Sequence, residues 1–141
     1  MPIEFLNQNI LLVSIVVVSG LGLLWPMLVR RAGQAVNPGA ATLLINRENA
    51  VVVDVRESDE FAQGHLPDAV SLPLSKFAER IAELDKYKDQ PVIVCCASGV
   101  RSNNACRQLA TRGFARLSNL EGGVDAWVAA GYPLKKGGKG K

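Results

Sequence analysis

PVIVCCASGVRSNNACRQLATRG, residues 91–113, changes character twice along its length. Residues 91–96 are a continuous apolar run, too short for a helix and rich in β-branched side chains. They predict a strand buried on both faces. Residues 97–101 are small or charged and read as a loop. From residue 102 a helix is expected, with Ser102 as its N-cap and Gly113 at its C-terminal end. Strand, short loop and helix in this order form the repeating unit of a sheet whose strands run parallel.

The neighbouring segments keep the same rhythm. AATLLINR (40–47) reads as a short amphipathic helix, with Asn37-Pro38 as its start. AVVVDV (50–55) is a second strand, apolar on both faces. SDEFAQG (58–64) is a helix stopped at Gly64, and HLPDAVSLP (65–73) is a turn and brief strand between prolines. KFAERIAELDKY (76–87) places Phe77, Ile81 and Leu84 at helical spacing, with Ala78 on the flank. FARLSNL (114–120) is a third strand, EGG a turn and VDAWVAAG (124–131) a last helix. The expected fold class is therefore α/β, a sandwich with a mainly parallel central sheet.

Charge separates the ends from the middle. Between Asn37 and Leu134 ten Lys or Arg face twelve Asp or Glu, so the +3 total comes from Arg30, Arg31, Lys135, Lys136, Lys139 and Lys141. A nucleic-acid binder spreads basic residues over its folded face, which argues against nucleic acid as a partner. The cysteines are Cys95, Cys96 and Cys106, an odd set in one short stretch, and the single histidine is His65. That pattern suits neither a disulfide framework nor a metal site, and fits free thiols in a reducing compartment. No cofactor is expected.

ILLVSIVVVSGLGLLWPMLV, residues 10–29, carries no charge. As a helix it would extend roughly 30 Å, the thickness of a bilayer's hydrocarbon core. Trp25 suits an interfacial anchor, and Pro26 is expected to bend or end the helix. No Lys or Arg precedes the run, which disfavours a cleaved signal. Arg30-Arg31 directly after it predict a single pass through the cell inner membrane, with the C-terminal domain facing the cytoplasm. The expected organisation is a tail over 1–9, a transmembrane helix over 10–29, a linker over 30–37, a domain over 38–134 and a flexible basic tail over 135–141.

The loop at 96–102 is where chemistry is expected. In such folds ligands bind beyond the C-terminal ends of the strands. A helix N-terminus there favours an anion, and a thiolate is one, so a cysteine at the loop's start should ionise easily. Gly99 lets the backbone curl into an anion-holding nest, small Ala97 and Ser98 leave the mouth open, and Arg101 adds a fixed positive charge. The bland alternative is a strand end with inert buried cysteines. Spacing leaves two candidates: five residues separate Cys95 from Arg101, the phosphatase arrangement, and four separate Cys96 from it, a tighter cradle suited to one sulfur.

Cys96-Ala97-Ser98-Gly99-Val100-Arg101-Ser102 resembles the active-site loop of single-domain rhodaneses, Cys-x-x-Gly-x-Arg-Ser. VVVDVRE (51–57), GHLPDAVSLP (64–73) and LEGGVDAW (120–127) resemble three further motifs of that family, in order, over roughly residues 38–134. The chain resembles in particular the membrane-anchored bacterial rhodanese-like proteins, which have one N-terminal span. The resemblance implies a three-layer rhodanese-like sandwich and a sulfurtransferase. In that register Cys96 is the catalytic nucleophile that carries a persulfide, and Ala97, Ser98, Gly99, Val100, Arg101 and Ser102 bind substrate, with Arg101 on an anionic donor. The expected partners are a small-molecule sulfur donor such as thiosulfate, a thiol or cyanide acceptor, the membrane, and a membrane or protein partner. Cys95 and Cys106 are expected to be packing residues, His65 part of a turn, Asp54 and Arg56 an ion pair, Trp127 core, and residues 57–60 a solvated helix start. A membrane-tethered adaptor without turnover is the alternative function.

Overall fold

The computed structural model describes residues 2–28 and 33–137. The chain forms two compact units, Met1–Arg31 and Ala32–Lys141. The first contains two helices, α1 (Pro2–Gln8) and α2 (Ile10–Leu28). Within the expected N-terminal tail, residues 2–8 are helical. Pro26 does not end α2, which continues to Leu28. Among the described residues no single helix is long and apolar enough to cross a membrane. Pro2–Gln8 and Ile10–Trp25 meet that test only as a pair, bent by 90° at the break between them. Arg30 and Arg31, on which the expected orientation rests, lie outside the described residues.

The second unit is built on a five-stranded sheet in the order β1-β5-β4-β2-β3. Its strands are β1 (Gln34–Val36), β2 (Val51–Asp54), β3 (Val70–Ser71), β4 (Val92–Cys95) and β5 (Leu117–Leu120). Every pairing is parallel, a stricter arrangement than the mainly parallel sheet expected. β1 falls in the expected linker. Its three residues carry no strand signal of their own and are held by pairing along β5, Gln34 against Ser118 through Val36 against Leu120.

The helices of this unit are α3 (Pro38–Glu48), α4 (Ser58–Gln63), α5 (Phe77–Arg80), α6 (Arg101–Thr111) and α7 (Gly123–Ala129). They lie on both faces of the sheet, because side chains alternate along each strand. Val53, Val92 and Val94 pack with Phe77, Leu84, Ala105 and Leu109 on one face. Val52, Ile93 and Leu120 pack with Ala41, Phe61, Val124 and Trp127 on the other. The result is the three-layer sandwich. Residues 76–87 are not one α-helix: a four-residue α5 leads into a 3₁₀ stretch, Ile81–Tyr87. Ile81, Leu84 and Tyr87 recur every three residues and all pack on the core, which is the period of a 3₁₀ helix.

Asn37 caps α3 as expected, its side-chain oxygen accepting from Ala40 N–H at 2.8 Å. The start of the expected flexible tail is tied down. His65 and Lys135 exchange two backbone hydrogen bonds, and Gly137 N–H donates to Ala62 O. Lys139 and Lys141 lie outside the described residues.

Strand order positions the site. From β2 the chain moves outward to β3, returns to β4 on the other side of β2, and continues to β5. The reversal falls between β2 and β4, and in open α/β sheets the C-terminal ends of the strands at such a point are where ligands bind. Those ends are Asp54 and Cys95, which lie side by side in the register.

Candidate active site

The alternation along β4 continues one residue past its end and sends Cys95 and Cys96 in opposite directions. Cys95 joins the core that contains Trp127, and Cys96 joins the one that contains Leu109. All three cysteines are free and buried. Burial pushes the Cys95 thiol well above its ordinary range, and the nearby Asp54 charge adds to this. Burial likewise pushes the Cys106 thiol up to about 11. The phosphatase spacing thus falls on a thiol that is hard to ionise and packed away from the loop.

Cys96 has different surroundings. Gly99 N–H donates to its Sγ at 3.0 Å, and Ser102 Oγ lies 3.4 Å from the same sulfur. Burial opposes ionisation most, but the hydrogen bond with the Ser102 side chain and those from the backbone at Ser102, Ser98 and Gly99 together outweigh it. The thiol is therefore held below its ordinary value. Gly99 adopts φ +94°, a conformation that side chains rarely tolerate, and this turns its amide back onto the sulfur.

Ser102 does not cap α6, which begins one residue earlier, at Arg101, after Val100 in the cap position. Its hydroxyl instead donates to Asn119 Oδ1 at 2.5 Å. Asn119 Nδ2 donates to Gly99 O at 3.2 Å and to Asn103 Oδ1 at 2.6 Å. This one buried amide on β5 therefore ties the curl of the loop to the serine beside the sulfur. Sequence reasoning missed Asn119; the available signal was a polar residue inside the apolar strand LSNL.

The loop is also held from behind by α7. Val124 N–H donates to Cys96 O at 2.8 Å and Asp125 N–H to Ala97 O at 3.1 Å. The close approach needs Gly123, since a Cβ there would overlap the carbonyl of Cys96. The EGG segment, read only as a turn, is thus part of the site's support.

Arg101 stands at the mouth. Its Nη1 and Nη2 donate to the two oxygens of Glu60 at 2.9 and 3.0 Å. Glu60, expected at a solvated helix start, is engaged here by an arginine far away in sequence. That pairing holds its carboxyl below the ordinary range. Ala97 is partly buried, while Ser98 and Val100 are exposed.

The structure places the other residues as follows. Arg56 Nε and Nη2 donate to Asp54, and Nη2 also donates to Gly64 O at 2.6 Å, so the pair clamps the end of β2 to the 64–65 turn. The His65 ring stacks on Phe61 at 3.8 Å, its Nδ1 2.9 Å from Phe61 O. Trp127 is buried and its Nε1 donates to Pro133 O. A cavity of about 560 Å³ opens beside Thr42, Val51, Tyr87, Trp127 and Tyr132, and no residue of the 96–102 loop lines it.

A parallel sandwich with a cysteine seated under loop amides at the switch point defines a class of thiol-centred α/β domain. Comparison with known families makes it specific. Residues 37–130 match the rhodanese-like domain, and the chain belongs to that family. It is 40% identical over 105 residues to the uncharacterized protein YibN of Escherichia coli K12, covering 74% of this chain and 73% of that one. It is 41% identical over 91 residues to a sulfurtransferase of Allochromatium vinosum, covering 64% and 83%. The crystal structure of a rhodanese-related protein from Thermoplasma volcanium superposes with a TM-score of 0.66 at 29% identity, covering 72% of this chain and 97% of that one.

Proposed function

We propose that this protein is a membrane-anchored sulfurtransferase of the rhodanese type, with Cys96 as its sulfur carrier and residues 97–102 as its substrate cradle. The observation that carries the reading is the Gly99 N–H donated to Cys96 Sγ at 3.0 Å, in a loop whose backbone and Ser102 together favour the thiolate.

The Cys96 thiolate attacks the outer sulfur of a donor such as thiosulfate. The donor's S–S bond breaks, its electron pair leaves with sulfite, and the transferred sulfur stays on Cys96 as a persulfide. An acceptor thiolate then attacks that outer sulfur. The persulfide bond breaks, the acceptor leaves with the sulfur, and the Cys96 thiolate is restored. The cycle is ping-pong and needs no redox cofactor. Amides preorganised around the sulfur hold the negative charge without rearranging at each step.

The N-terminal unit supports an anchored form. Leu11, Val16, Val18, Leu23 and Trp25 are exposed on α2, an apolar surface more at home in lipid than in water. In this reading the chain crosses the inner membrane once, with the catalytic domain in the cytoplasm, where thiols stay reduced.

The test is to incubate the full-length chain with thiosulfate and measure its intact mass and its Cys96 peptide. One added sulfur on that peptide is expected, lost in Cys96→Ala and retained in Cys95→Ser. Sulfur that persists in Cys96→Ala would remove Cys96 from the mechanism.

A further inference from the structure

The positive charge of the cradle already has a partner. Glu60 takes the end-on fork of the Arg101 guanidinium with both oxygens, and its Oε1 also accepts from Glu57 N–H at 3.3 Å, so the carboxylate is fixed from two sides. Only the donors along the edge of the guanidinium stay open, and the charge that would draw an anion is cancelled at close range. The second guanidinium at this end of the sheet, Arg56, is likewise matched by Asp54. Beside this neutral mouth stands Val100, 72% exposed.

We propose that Glu60 is a specificity-determining residue: by neutralising Arg101 it turns the Cys96 site away from dianionic donors such as thiosulfate and toward thiol persulfides, which carry at most one negative charge and whose carbon chain can lie against Val100. The inference rests on the sulfur-carrier reading above and names its donor class. With such a donor, reacting in its protonated form RSSH, the Cys96 thiolate attacks the outer sulfur. The donor's S–S bond breaks, its electron pair leaves as the thiolate RS⁻, and Cys96 keeps the S–SH group. Atoms and charge balance without an oxidant or reductant. With thiosulfate, Glu60 repels both the dianionic donor and the sulfite that leaves.

The experiment compares wild type with Glu60→Gln in the full-length chain. Steady-state constants are measured for thiosulfate and for the persulfide of N-acetylcysteine amide, and sulfur on the Cys96 peptide is followed by mass. Glutamine keeps an acceptor for Glu57 N–H, so the helix start is preserved. A thermal melt checks the fold, and Glu60→Ala removes the charge a second way. The expected result is a thiosulfate KM about fivefold lower in Glu60→Gln, the scale of a half-exposed ion pair. The preference for thiosulfate over this persulfide of lower charge, as the ratio of kcat/KM values, should rise by the same factor, and Glu60→Ala should move it in the same direction.

A thiosulfate KM that is unchanged or raised overturns the inference, as does an equal change for both donors, which would make Glu60 only a support for the loop. If wild type loads sulfur on Cys96 and these constants do not separate, the inference fails alone. If neither donor loads sulfur on wild-type Cys96, the sulfur-carrier reading fails with it.

Discussion

The availability of the Cys96 thiolate should follow pH in a direction set by its hydrogen bonds. Because those bonds hold the thiol below its ordinary value, sulfur loading should persist below the pH where a free cysteine becomes protonated, and fall only on further acidification. When the thiol ionises, the Ser102 hydroxyl can turn its one proton from Asn119 Oδ1 to the sulfur, so removing it withdraws one stabilising contact from the anion while burial still opposes it. In Ser102→Ala the midpoint of the loading rate against pH should therefore move upward, toward the ordinary thiol value. A midpoint that stays put or falls would mean that the backbone amides alone set the thiolate. At this scale the sequence was partly legible. Cys-x-x-Gly-x-Arg-Ser marks the loop because glycine and a helix start are local requirements. Asn119 and Glu60 were hidden, since their partners lie in other elements and no local pattern announces a contact across the sheet or between helices.

At the scale of elements, two contacts hold the loop in its curl. The first is α7, whose leading amides donate to the carbonyls of the loop only because Gly123 lets the backbones touch. Gly123→Ala combines a positive φ with an overlap against backbone, and should destabilise the domain by about 2 kcal/mol or more. Denaturant unfolding of the purified chain measures this, and a change below about 0.5 kcal/mol would mean the loop can shift cheaply. The second contact is the Asp54–Arg56 clamp at the end of β2, where both groups are buried. Arg56→Ala leaves a buried carboxylate without its partner and should cost about 3–5 kcal/mol in the same measurement. Replacement by lysine should recover part of that loss but not all, because a single ammonium cannot reach both carboxylate oxygens and Gly64 O. The core strands and most helices were readable from period and turn residues. The 3₁₀ stretch and β1 were not. One differs from an α-helix only in the spacing of three apolar side chains, and the other exists through its pairing with β5.

For the whole molecule, the prediction concerns where it resides. An apolar N-terminal unit ahead of a domain with near-neutral charge should leave the full-length chain in the membrane fraction after an alkaline wash, whereas a chain lacking residues 2–28 should appear in the supernatant. Full-length protein found in the supernatant would count against the anchor.

By itself the sequence determined the class of the fold, the order of most elements, the apolar N-terminal segment and the loop where a thiol meets a helix start. These follow from periodicity, composition and local backbone demands, which act between residues near one another in the chain. Only the tertiary structure decided which way each of two adjacent thiols points, that Asn119 braces the loop, and that Arg101 is already paired with Glu60. Those outcomes depend on strand order and on the pleat of β4, which bring together groups that no short-range rule connects.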